Sequence, residues 1–592
     1  MEHLPTTAVT LSSDLSTTEC DSVVLVLEDV NVLPENFSPI SSTLNCWNKS
    51  FSKLNSGVHV IYCEQLPSHT LIVSFTGALD RDFDDIRRIT DASKDGIAQA
   101  LKAGSTKPML ALAPFKTASK LRCSWTDPKS LCLAALLSAL HELALKAGST
   151  KPMLALAPFK TASKLRCSWT DPKSLCLAAL LSALHELYVP LEVREFSTLP
   201  RTAELTKSIK ASKVESLYWF SGSHYAVDHS KLIHVAWCLE EGRRVARDIG
   251  GSDPERMRAS HIVDYLKEEF ADSGVTFRSD PVDAKLYPLA AVVDRGSNDS
   301  HRGSIVHLEY RGSVDKNVKD AEVTDLFLIG KGIIYDTGGS DLKVGGIMAT
   351  MHRDKCGAAA VAGFFKSTSL LKPKNLNLHG SLALVRNSIG SSAYVSDEII
   401  ISRAGIRVRV NNTDAEGRMV MTDLLCEAKE QASRLPKAFL MTFATLTGHV
   451  VLSYGPNYTG LVCNGPARLL KMDHIFQQSG ELLGEMSEIS TLRREDYEAH
   501  KAHEPYADLL NSARPVGGKR VRGHQSPAAF MIVASGLDSH MCNSEKPLPY
   551  IHFDIAGSQG TCPGIPTAAP LLTLASQYLL GDYWQELLKV RL

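Results

Sequence analysis

The stretch DLFLIGKGIIYDTGGSDLK, residues 325–343, decides how the rest of the chain is read. Leu, Phe and Ile dominate its first six residues, as in a strand buried on both faces, and the chain then runs straight into a glycine-rich segment. That segment reads as a loop at a strand end. Lys331 and Asp336 stand at its start, and Lys343 closes it. Gly332, Gly338 and Gly339, with Gly345 and Gly346 just beyond, permit positive φ and close backbone approach, as a loop folded around a ligand requires.

Two further stretches extend the pattern. In HRDKCGAAAVAGFF, residues 352–365, Asp354 precedes a run of Gly and Ala that lets a helix lie close against a sheet, which places the carboxylate near that helix's N-terminus. In IRVRVNNTDAEGR, residues 406–418, a strand apolar at 406, 408 and 410 ends in Asp414 and Glu416. Two apart in extended chain, these project the same way. Gly417 then leads into a helix with Val420, Leu424 and Ala428 on one face. Each piece alone has an ordinary reading: a lysine after a strand is solvated, and an aspartate at a helix start is a cap. Together they deliver four carboxylates, two lysines and Arg418 to one place. Clustered carboxylates repel and must protonate unless cations neutralise them, and divalent metals held by oxygen ligands do so.

Around this centre, LHGSLALV (378–385) and PKAFLMTFA (436–444) read as further strands with helical segments between them. The expected fold class is α/β: a mixed, mostly parallel sheet covered by helices on both faces, with its site at the carboxyl ends of strands. The run KLIHVAWCLEEGRRVARD (231–248) reads as a connecting helix broken by IGGSDPERM, and the next helix starts with Ser260 as N-cap. Upstream, VVLVLEDV (23–30) and LIVSFTGAL (71–79) are strands of a smaller α/β domain. The boundaries expected are 1–229 for that domain and 230–592 for the catalytic one. Residues 100–143 recur letter for letter at 144–187. True repeats diverge because each faces different neighbours, so two identical copies read as a duplicated β-α unit that adds bulk without chemistry.

Lys plus Arg number 64 against 65 Asp plus Glu, which gives no field to attract nucleic acid or an anionic membrane. No stretch approaches the roughly 20 apolar residues of a membrane span, and the first residues lack a basic and an apolar region, so an intracellular, cytoplasmic protein is expected. The 13 cysteines include no C-x-x-C pair, which fits reduced, mostly buried thiols.

NTDAEGR at 412–418, and GKGIIYDTGGSDLK followed by MHRDKCGAA, resemble the signature stretches of the leucyl aminopeptidase family. ATLTG (444–448) and HFDIAG (552–557) are similar to two more of its blocks. The resemblance covers about residues 230–592 and implies a two-metal aminopeptidase acting on peptides with a free N-terminus. Lys331, Asp336, Asp354 and Glu416 would hold one metal and Asp336, Asp414 and Glu416 the other, with zinc exchangeable for manganese or magnesium. Lys343 and Arg418 match the catalytic cations, Arg418 as the seat of a bicarbonate. Met351, Asn412, Thr445, Leu446 and Gly448 fall where the family contacts substrate, and the family assembles as hexamers. His449, where the family more often has a small residue, and the poorly matching region 494–524 point to a divergent branch with its own side-chain preference. The competing reading is a family member that has lost turnover and serves as a binding or regulatory protein.

Overall fold

The computed structural model describes residues 228–314, 318–319, 322–514, 521–581 and 583, and upstream chiefly 22–28, 37–50, 56–77 and 188–198, with shorter pieces within 92–112, 153–154 and 177–185. Most of the duplicated segment, the N-terminal 21 residues and residues 515–520 lie outside the described residues. The chain divides into two compact units, Met1–Glu240 and Glu241–Leu592.

In the first unit, β1 (Ser22–Leu27), β2 (Val58–Tyr62), β3 (Thr70–Phe75), β4 (Pro108–Leu112) and β5 (Met153–Leu154) form one sheet in the order β2-β3-β1-β4-β5. Val23, Leu25 and Leu27 of β1 alternate with the other face and join Leu71, Val73, Ile40 and Leu44 in a buried cluster. Strands β4 and β5 come from the two identical copies and lie parallel, with Met109 beside Met153 and Leu110 beside Leu154. Each copy thus supplies a strand to this sheet.

The second unit is built on an eight-stranded sheet. Its strands are β6 (Thr276–Pro281), β7 (Ser304–Arg311), β8 (Thr324–Asp336), β9 (Leu376–Asn387), β12 (Ala438–Ala444), β13 (Thr459–Cys463), β14 (Ser487–Thr491) and β16 (Tyr550–Asp554). The order is β14-β13-β16-β12-β8-β9-β7-β6, and β8 runs parallel to both its neighbours. This is the mixed, largely parallel sheet with helices on both faces that the apolar runs predict. The Gly-Ala helix Cys356–Leu371 covers one face at very short range: a Cβ on Gly330 would meet the Cα of Ala358 at 2.5 Å, and one on Gly357 the carbonyl of Phe443 at 2.1 Å. The opposite face, with Ile329, Leu440 and Ala444, packs on Met419, Val420 and Leu424 of the helix Glu416–Ala432 and on Phe530 of the helix Ser526–Ala534. Among the described residues no helix is long and apolar enough to cross a membrane.

Four local expectations need correction. The strand does not stop at Gly330 but continues through Lys331 to Asp336, because β9 goes on pairing with it past the end of β12 and every residue from Asp325 to Ile334 is buried. The segment IRVRV contributes only β11 (Arg407–Arg409), which pairs with β10 (Ile399–Ile401) and β15 (Leu509–Leu510) in a separate three-stranded sheet. The first connecting helix runs on to Gly251. The next begins at Ala259 after Arg258, which makes no side-chain cap, so Ser260 lies inside the first turn.

Candidate active site

Asp336 ends β8, and Lys331 sits earlier on the same strand, just past the point where its pairing with β12 ends. Asp354 lies in the short 3-10 helix Met351–Lys355 that opens the Gly-Ala helix. Glu416 is the first residue of its own helix, not part of an extended strand as the spacing suggested, and Asp414 occupies the turn before it. Helix starts leave backbone N–H groups unpaired and favour negative charge, so two of the carboxylates come from elements suited to hold them.

These elements converge. Lys331 Nζ lies 2.8 Å from Asp354 Oδ1 and 2.9 Å from Glu416 Oε1, and donates to the carbonyl of Thr445 at 3.2 Å. Lys343 Nζ lies 2.8 Å from Asp336 Oδ2 and pairs also with Asp414. Oxygens of Asp336, Asp354 and Glu416 all fall within 4.8 Å of one another, and all three residues are buried. The structure thus brings Lys331, Asp336, Lys343, Asp354, Asp414 and Glu416 into one cluster. Arg418, two residues on in the same helix, is buried and donates to the Asn511 carbonyl at 3.0 Å.

The electrostatics follow from burial. Burial opposes charge on Lys331, but Asp354, Glu416 and Asp336 outweigh it and raise its pKa, so its ammonium is itself a cation held by the carboxylates. The neutral amine expected of a metal ligand therefore requires metal charge nearby to displace the proton. Burial likewise opposes Lys343, and Asp336 with Asp414 raise its pKa. Burial, helped by Glu416 and Asp336, pushes the Asp354 carboxyl up to about 8 against the pull of Lys331. Asp414 is raised by burial and by Glu416.

One observation tests whether a divalent metal suits these residues. Asp354 Oδ2 and Glu416 Oε2 are buried and have no hydrogen-bond partner among the described residues. A buried carboxylate oxygen left unpaired costs about 1–3 kcal/mol or more, and a metal ion satisfies it. The all-oxygen set beside a lysine amine fits a hard or borderline dication.

Of the residues expected to meet substrate, Thr445 touches the cluster directly and the others lie near it in sequence. Thr445 Oγ1 donates to Asp354 Oδ1 at 2.7 Å, and Met351 opens the short helix that carries Asp354. The Asn412 side chain accepts from the backbone of Asp414 at 2.9 Å, Leu446 follows Thr445 in the turn after β12, and Gly448 opens the helix Gly448–Tyr454.

Several organising residues escaped the sequence reading. Asn387, at the end of β9, donates to Asp336 Oδ1 at 2.9 Å and to the Thr413 carbonyl at 3.1 Å. Thr413 Oγ1 reaches the Gly338 carbonyl at 2.7 Å, and Tyr394 donates to the Thr413 carbonyl at 2.6 Å. Asn511 accepts from the backbone of Asn411 and Asn412 and donates to the Asn412 carbonyl. Fully buried Asp554 accepts from Leu446 N at 3.2 Å and Thr447 Oγ1 at 2.6 Å, fixing the turn that carries Thr445. Burial pushes its carboxyl up to about 6. An acid inside the apolar run IHFDIAG was the signal available for it.

Fold and cluster together describe an α/β protein with buried carboxylates, able to hold a metal ion, gathered at the ends of parallel strands. Residues 244–574 match the cytosol aminopeptidase family, catalytic domain. A protein of Caenorhabditis elegans, provisionally named an aminopeptidase, is 35% identical over 98% of this chain and 99% of its own length. The cytosol aminopeptidase named as probable in Helicobacter hepaticus is 33% identical over 55% of this chain and 63% of its own. A mutant of tomato leucine aminopeptidase superposes with a TM-score of 0.64 at 16% identity, covering 98% of both chains. The bottromycin maturation enzyme BotP, solved in complex with Mn, does so at 0.61 and 16%, covering 95% of this chain and 99% of its own. The chain belongs to the cytosol aminopeptidase family, whose members are metal-dependent peptide hydrolases.

Proposed function

We propose that this protein removes the N-terminal residue from peptides, with Lys331, Asp336, Asp354 and Glu416 holding one divalent metal and Asp336, Asp414 and Glu416 a second. The observation that carries the reading is the buried set Asp336, Asp354 and Glu416, two of whose oxygens lack a hydrogen-bond partner among the described residues. Divalent metals bound there supply Lewis acidity toward the scissile carbonyl, a lowered pKa for a coordinated water, and an anchor for the substrate's free amine.

The chain's own groups do the rest. Lys343, kept protonated by Asp336 and Asp414, is an ammonium placed to stabilise the oxyanion that develops on the attacked carbonyl. Arg418 presents a planar fork suited to a carboxylate-like anion such as bicarbonate, which would take the proton from the attacking water. Thr445 steadies Lys331 and Asp354 through its carbonyl and hydroxyl. Met351, Asn412, Leu446 and Gly448 would contact the substrate. Zinc, exchangeable with manganese or magnesium, is the metal this reading expects, in a cytoplasmic homo-hexamer.

Purified protein supplied with Mn²⁺ or Zn²⁺ is expected to release the first residue from aminoacyl amides and dipeptides. A chelator and Glu416→Ala should each lower this turnover by about a thousandfold, as removal of a metal-held nucleophile implies. Turnover that survives both would remove the metal site from the mechanism.

A further inference from the structure

The turn at residues 445–447 leads into the helix Gly448–Tyr454, whose second residue, His449, is half-buried. Its Nδ1 lies 2.8 Å from Nδ1 of His524 and 3.3 Å from the hydroxyl of Ser453. The opposing loop is shaped around it: a Cβ on Gly523 would fall 2.8 Å from the Cβ of His449. His524 is buried, and its Nε2 lies 2.8 Å from the hydroxyl of Ser490 on β14.

The sheet register places this pair. Thr442, His552, Val462 and Ser490 lie abreast on β12, β16, β13 and β14. Thr442 is level with Ile329 of β8, so all of them share a face with Lys331, two residues further along that strand. The two imidazoles therefore lie over the face of the sheet that carries Lys331, with His449 just past the turn whose Thr445 touches Lys331 and Asp354.

We propose that His449 is a specificity-determining residue, selecting peptides whose first residue carries an uncharged hydrogen-bonding side chain, an amide above all, over an aliphatic one. The inference rests on the aminopeptidase reading and adds a substrate class to it. His449 Nε2 has no partner among the described residues, and Nδ1 is fixed from behind. With both rings neutral, one proton lies between the two Nδ1 atoms: when His449 carries it, His449 Nε2 is bare and accepts, and when His524 carries it, His449 holds its own proton on Nε2 and donates, the Nε2 protons of both rings being exchanged with solvent or the Ser490 hydroxyl. A side-chain amide offers both. The groups facing the pair are Ser453, Tyr454, Ser490, Arg522 and Asp496, and the one cation among them, Arg522, is held by Asp496 at 2.6 and 2.8 Å. That leaves no unpaired cation among these groups for a carboxylate. Burial, with His449 and Arg522, pushes His524 down to about 4, and burial with Arg522 lowers His449, which keeps both rings neutral near pH 7.

The test compares asparaginyl amide with leucyl amide, two substrates of nearly the same shape, and aspartyl amide as the charged control, using the full chain loaded with Mn²⁺. The expected result is that His449→Ala and the bulkier His449→Leu each lower the asparaginyl-to-leucyl ratio of kcat/KM by about tenfold, the value of one hydrogen bond. His449→Gln, which keeps a donor and an acceptor, should retain most of the ratio. Circular dichroism and melting temperature check that each variant is folded. A ratio unchanged within about twofold in both apolar variants would overturn the proposal while leaving the aminopeptidase reading intact, as would a His449-dependent preference for the aspartyl substrate. Absence of turnover on all three substrates in the wild type would overturn both.

Discussion

Gly417 shows at the scale of a single residue why the cluster tolerates so little change. A Cβ there would lie 2.5 Å from Cε and 2.6 Å from Nζ of Lys331. Glycine at this position is what lets the lysine amine enter a ring of carboxylates from the side of the helix start. Gly417→Ala is therefore expected to fold yet to weaken metal affinity by about tenfold or more, measured by calorimetric titration, because the amine is pushed off its place. Affinity equal to wild type would mean that Lys331 is not a ligand. The six clustered side chains were legible in the sequence because charged residues and glycines recur together at 331–343, 354 and 414–418, and so many carboxylates at strand ends call for cations to neutralise them. Asn387, Asn511 and Asp554 were not, since their contacts join positions tens to more than a hundred residues apart and the nature of a polar side chain does not tell which distant backbone it serves. His449 was visible as an oddity beside ATLTG, but its partner His524 required the fold.

At the scale of elements, the apolar runs located the strands of the large sheet, while their ends were misjudged wherever tertiary burial overrode local signals. Strand β8 outruns the expected stop at Gly330 because β9 continues to pair with it as far as Asp336. The NNTDAEGR turn was read as extended chain, yet Glu416 begins a helix, since residues 419–425 of that helix are buried under the sheet. The same helix carries a buried acid that should report on pH. Asp423 accepts from the backbone of Leu289 at 2.7 Å and of Arg403 at 2.9 Å, joining the helix Pro288–Asp294 and the 403 loop to the helix Glu416–Ala432. Burial pushes its carboxyl up to about 7 despite these bonds. An acid whose folded pKa lies above its unfolded value of about 3.9 favours folding fully below about pH 4, and that contribution is lost as pH rises through about 7. Urea midpoints at about pH 5 and about pH 8 should therefore differ less in Asp423→Asn than in wild type, because asparagine does not ionise. An equal difference would show that Asp423 does not carry this dependence.

At the scale of the whole molecule, the duplicated segment and the carboxylate cluster belong to different compact units. The two copies present the same strand side by side, Met109 next to Met153, so removal of either leaves a sequence able to supply one. Leu177, Leu181 and Leu184 of the second copy are buried, and the first copy contains the same leucines at the matching positions. A chain lacking 144–187 is expected to fold and to keep its peptidase activity within about twofold, since none of the clustered residues is touched; loss of folding would contradict the view of the second copy as surplus. The central claim is that the buried carboxylates and Lys331 are a two-metal site. It is tested most directly by calorimetric titration of the metal-free protein with Zn²⁺ or Mn²⁺ in buffers of different ionisation enthalpy. Two ions bound per chain are expected, with protons released and affinity rising with pH, because the pKa values of Lys331 and Asp354 are both raised before metal arrives. Fewer than one ion per chain, or uptake without proton release, would contradict it.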